Sequence, residues 1–128
     1  SSQSIEDIMN TIEKLTTTVI GKDPQKWRNF TSHYSRVFNA SHLDFDRQLN
    51  LIIIWLQGAN KLRQNLVSGF ERTGLQSRMI SFNEKFPNAN IYKIILCIEE
   101  VKSLARQNLY MPLILLNMLL DIQELIYE

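Results

Sequence analysis

The residues of this 128-residue chain whose types could do chemistry are two histidines, one cysteine and a few closely spaced carboxylates. His33 and His42 lie too far apart to share a helix face, and neither has a cysteine or carboxylate at metal-ligand spacing. Surface or capping roles are expected for both. Cys97 precedes Ile98, a residue expected to be buried, and no neighbouring histidine is placed to activate its thiolate. It reads as a small filler. Glu99-Glu100 diverge on a helix surface, and Asp44-Asp46 read as helix-start chemistry, so neither pair suggests acid–base catalysis. The glycines at 21, 58, 69 and 74 form no phosphate-binding loop. No catalytic residue, cofactor site, metal site or small-molecule ligand is therefore expected. An enzyme survives only as a site assembled at a distance from His33, His42 and Glu99.

Composition narrows the class further. Hydrophobic residues make up 45% and charged residues 21%, ordinary for a folded domain and too apolar for a disordered tail. The length suits one domain with a real core. The net charge is +1, and the cations are scattered in sequence among acids, with no stripe that would track a phosphate backbone. No direct contact with nucleic acid is expected. A lone cysteine excludes an intrachain disulfide and favours a reducing, cytoplasmic setting. The start at Ser1 lacks a signal peptide's basic and apolar segments and points to the C-terminal fragment of a longer chain. The run from Leu109 to Leu120 is broken by Pro112 and Asn117 and is too short for a membrane span.

Five to six helices must position these residues, in an all-α single-domain bundle. Ile5, Ile8, Met9, Ile12, Leu15 and Val19 recur at helical spacing behind Ser4 and Asp7, which resemble a capping box, and Gly21 closes the helix. Asp23-Pro24 opens a second helix whose Trp27, Phe30, Tyr34, Val37 and Phe38 read as a core face rather than a base-stacking platform. A third begins near Asp44 or Asp46 and buries Leu49, Ile52, Ile53 and Leu56, with Leu62 and Leu66 as further candidates. Gly58-Ala59 inside it marks a break or the close approach of another segment. Val67 to Ser77 reads as a loop, followed by a short helix from about Arg78 to Phe86 that Pro87 stops. Asn88 or Asn90 caps the clearest helix, with Ile91, Ile94, Ile95, Ile98, Val101, Leu104 and Ala105 inward. After a turn at Asn108, Pro112 starts the last helix.

That last helix is the unusual one. Its polar residues are confined to Asn117, Asp121, Glu124 and Glu128, one narrow stripe, and nearly everything else is apolar. Either the helix is the central member of the bundle, enclosed by its own domain, or part of its surface is a subunit interface. The small size of the domain favours the interface. Trp55 stands beside Ile52, Ile53 and Leu56, so its indole is either a large core filler or an anchor for a second surface.

Read in order, Leu51 to Gln57 with its Trp55-Leu56-Gln57 step, then Phe82 and Phe86, then Ile98-Glu99, Leu104 and the run Asn108 to Leu120, resemble the collar domain of bacterial sliding-clamp loaders. The pattern is similar to that of the delta-prime subunit of the DNA polymerase III loader. There a helix with a Trp-Leu-Arg-like step precedes an irregular segment and two helices, the last opening at an Asn-x-Asn turn. Asn108 matches the first asparagine and Leu113, Leu115, Met118 and Leu119 match hydrophobic positions, while Tyr110 replaces the second asparagine and Leu116 a usual glutamate. The match runs from about Asp44 onward. The resemblance implies a non-catalytic assembly domain that joins other loader subunits in DNA replication, with ATPase modules upstream. Trp55, Asn108, Leu113, Leu116, Leu119 and Leu120 are the candidate interface residues. The alternative is a stand-alone helical regulatory or immunity-type binding protein, with an internal last helix and function on its polar faces.

Overall fold

The computed structural model describes residues 2–127, with side chains from Ile5 onward. The expected capping hydroxyl of Ser4 and the last carboxylate of the polar stripe, Glu128, lie outside the described residues. Among the described residues there are six α-helices and no strand: α1 (Ser2–Ile20), α2 (Pro24–Ala40), α3 (His42–Arg63), α4 (Gly74–Lys85), α5 (Ile91–Ala105) and α6 (Met111–Ile126). The all-α bundle is as expected.

Local chemistry sets the helix starts. Asp23 caps α2 by accepting a hydrogen bond from the Gln25 amide at 3.0 Å, with Pro24 in the first turn where its missing N–H costs nothing. The third helix starts earlier than Asp44 because the Ser41 hydroxyl accepts from the Asp44 amide at 3.0 Å and so acts as the N-cap. Thr73 does the same for α4, accepting from Leu75 at 3.2 Å, which begins that helix at Gly74 rather than Arg78. The irregular segment is correspondingly confined to residues 64–73, and Leu66, in that segment rather than in the third helix, is exposed. Asn90 caps α5 through the Lys93 amide at 3.1 Å.

α3 is the hub. It packs on α1, α2, α4 and α5, and Phe45, Leu49, Ile52, Ile53, Trp55, Leu56, Gly58 and Ala59 are buried around its circumference. Gly58 marks a close approach: a Cβ there would stand 2.7 Å from Met79 Cε and 3.3 Å from the Phe70 ring. The helix is continuous through it. Arg63, in the last turn, ties α3 to the far end of α4. Its guanidinium donates to Asn83 Oδ1 at 2.6 Å, to the carbonyls of Pro87 and Ala89 at 3.1 and 2.9 Å, and to the Phe86 carbonyl. Asn83 returns a bond to the Ala59 carbonyl at 3.0 Å. One rigid cation thus gathers the carbonyls where α4 ends and the chain turns towards α5, supplementing the Ala89 and Ile91 amides that already donate to Phe86 and Ala89.

Candidate partner interface

Asn108 adopts a left-handed backbone, φ 55°, between α5 and α6, a conformation asparagine tolerates better than most residues. Its side chain is exposed. The residue therefore makes the reversal that delivers α6, and the geometry assigns it a turning role. Pro112 occupies the first turn of α6. From there the helix lies against α1, α2 and α5 and buries Met111, Ile114, Leu115, Met118, Leu119, Ile122 and Ile126. Its far end is anchored by the Leu125 carbonyl, which accepts from the Asn90 amide at 2.9 Å, and by Gln123 Nε2, which donates to the Val19 carbonyl at 3.0 Å.

The neighbours of α6 do not close around it. Leu113, Leu116 and Leu120 remain 53%, 38% and 46% exposed, and their spacing of three and four residues aligns them in one stripe. The fully enclosed last helix is thus excluded. Asn117, Asp121 and Glu124 form a second exposed stripe beside the leucines. On the other flank of the leucines the chain forms an open groove of about 580 Å³, walled by Trp27, Arg28, Tyr110, Pro112, Leu113 and Leu116. Trp27 is fixed there by an indole N–H donated to the Gly21 carbonyl at 3.2 Å.

Two of the expected interface residues belong to the core instead. Trp55 is 2% exposed, with its ring edge-on to Phe82 at 5.4 Å, because the fourth face of α3 is covered by α4 and α1. Its indole N–H finds no acceptor among the described residues. Leu119 is fully buried, since it lies on the arc of α6 turned to the core with Leu115 and Ile122. Neither has surface to offer a partner. Trp27 and Tyr110 are the residues that sequence reasoning left out. Helical spacing assigns Trp27 wholly to the core face, and the signal that separates it is its place one turn into α2, where a helix end leaves a ring half covered.

The groups considered for chemistry are dispersed. His33 packs edge-on to Tyr34 at 4.8 Å, His42 stacks on Phe38 at 4.0 Å, and Glu99 reaches Lys102 at 3.5 Å, so none of the three contacts another. Asp44 serves Arg47 at 2.9 Å and Asp46 accepts from Asn50 at 3.3 Å, both within the first turns of α3. Cys97 is half-buried between α5 and α6. Burial, with Asp121 and Glu100 nearby, pushes its thiol up to about 11, so it is protonated at neutral pH. Among the described residues no group of three histidines, cysteines or carboxylates could hold a metal ion, and no helix is long and apolar enough to cross a membrane. No protein-family model, curated protein or solved structure matches the chain.

Proposed function

We propose that this domain is a non-catalytic assembly module which holds other protein subunits against the Leu113, Leu116 and Leu120 stripe of α6 and the groove beside it. The observation that carries the reading is that these three leucines are aligned and uncovered, while the rest of α6 is built into the core. Exposed apolar surface in a contiguous patch marks a binding site more often than chance, and burying it contributes about 25 cal/mol per Å². Tyr110, 73% exposed at the head of the stripe, supplies the kind of aromatic anchor that interfaces favour.

The finer reading is a collar-type domain of a DNA polymerase III clamp loader, delta-prime-like and cytoplasmic, whose partners are the other loader subunits. It rests on the ordered similarity from Leu51 to Leu120 and is supported by the left-handed turn at Asn108 that sets up the last helix. In that reading ATP-driven work belongs to other modules of the parent chain, and this segment contributes packing alone. The stand-alone regulator requires an internal last helix, which the exposed leucines disfavour. Size-exclusion chromatography of the full-length parent chain with the other loader subunits tests the proposal. Co-elution that is lost on Leu116→Glu is expected. Absence of co-elution by the parent chain would overturn the clamp-loader reading.

A further inference from the structure

Folding gathers cations that are scattered in the sequence. Lys14 near the middle of α1 and Lys26, His33 and Arg36 of α2 line one concavity of about 400 Å³, and no carboxylate lines it with them. Lys26, His33 and Arg36 stand seven and three residues apart, which places them on a single face of α2 turned to α1. Among the described residues none of the three cations has an ion-pair partner. Glu13, the nearest acid in sequence to Lys14, is engaged by Arg78 at 3.7 Å. The chain as a whole carries only +1, so the concentration of charge here is local.

The neutral groups of the concavity leave the cations uncompensated. The Thr17 and Thr18 hydroxyls donate to the Glu13 and Lys14 carbonyls of their own helix. Asn29 Oδ1 accepts from Gln25 at 2.8 Å. Burial lowers the pKa of His33, and Lys14 and Arg36 lower it further, which reports that its ring sits in positive potential. The charged groups acting on that ring are Lys14 from α1 and Arg36 from α2, with Lys26 lining the same concavity, and Tyr34, in ring contact with it, is a neutral phenol.

We propose that the α1–α2 concavity formed by Lys14, Lys26, His33 and Arg36 binds a phosphate oxyanion. Three cations around one depression suit a compact group with several acceptor oxygens, and the arginine supplies a bidentate fork for it. Of the two rings lining the depression, Phe30 is buried and His33 packs edge-on to Tyr34 at 4.8 Å, so neither forms an open stacking platform for a base. The contact is to phosphate alone and is indifferent to sequence. The phosphate is either free or part of a nucleic-acid backbone, and the chemistry of recognition is the same.

The site is on α1 and α2, away from the leucine stripe, and its test does not depend on the assembly reading. The ring signals of His33 and His42 are followed by NMR while inorganic pyrophosphate, and separately a short DNA duplex, is added at low salt. Saturable shifts and a raised pKa at His33, with His42 unchanged, are expected from at least one probe, and the double variant K14A/R36A should weaken binding about tenfold or more. Saturation by pyrophosphate alone identifies a free phosphate as the ligand. Saturation by the duplex, with a log–log salt slope of about −2.7 for three contacts, identifies a backbone phosphate. No shift at His33 with either probe, equal shifts at both histidines, or undiminished binding by a folded K14A/R36A variant would overturn the proposal.

Discussion

The apolar middle of α3 and the apolar surface of α6 are covered to different extents: from Leu51 to Leu62 only Ile54 among the large hydrophobic residues is exposed, whereas α6 leaves three aligned leucines uncovered. α3 has four helical neighbours, and even Trp55 on its outer side is shut in by Phe82. α6 has three, and the missing neighbour is the reason Leu113, Leu116 and Leu120 face outward. Hydrophobicity around a helix records only that burial is favourable. Whether the chain itself supplies the cover depends on how many elements pack against it, and that is a property of topology.

Substitutions sharpen this contrast. The largest loss is expected for Trp55→Ala or Leu119→Ala, about 3–5 kcal/mol each, because both sites are closed and cannot collapse fully around the cavity. Thermal or denaturant unfolding measures it, and a loss near zero would return these residues to the surface. Arg63→Ala should cost about 2–3 kcal/mol by leaving the Pro87 carbonyl and Asn83 Oδ1 without this donor and removing the charged second bond to the Phe86 and Ala89 carbonyls. Arg63→Lys is expected to recover little, since an ammonium cannot span the same acceptors.

Alkaline pH probes the interior in another way. Burial pushes the Tyr34 phenol from 10.0 up to about 12. The unfolded chain therefore loses this proton first, and the stability contributed by keeping it is present below pH 10 and lost between pH 10 and about 12. Cys97, raised from 9.0 to about 11, acts in the same direction from pH 9 upward. Unfolding midpoints should fall across this window, by an amount on the order of 2 kcal/mol for the tyrosine, and Tyr34→Phe with Cys97→Ala should flatten the decline. The smallest effect on folding is expected at the stripe: Leu116→Ala should change stability by less than about 1 kcal/mol, since its side chain is already partly in water.

Much of the fold was legible because its signals are local. Asp23-Pro24, Asn90 and the spacing of Ile91, Ile94 and Ile98 each act within one or two turns, and α2 and α5 lie where those residues place them. The start of α4 was missed because Gly74 and Ser77 resemble loop residues. The Thr73 cap and the completely buried Leu75 outweigh them. Arg63 was not legible at all, as its partners lie 20 to 26 residues away and become neighbours only when α3 and α4 pack. The candidate site was legible to the level of the helix. Sorting Leu116 from Leu119 required knowing where α2 and α5 stand. The same limit explains Lys14 and Arg36, which meet across two helices and look unrelated along the chain.

The separation between a core face and an uncovered face on α6 is the claim on which the assembly reading stands. The triple variant L113E/L116E/L120E of the protein tests it most directly, with melting and co-elution with the proposed partner subunits measured on the same sample. The account predicts a folded protein, melting within a few degrees of the unmodified chain, that no longer co-elutes. A variant that unfolds would show that the stripe is core, and one that folds and still co-elutes would show that partners bind elsewhere.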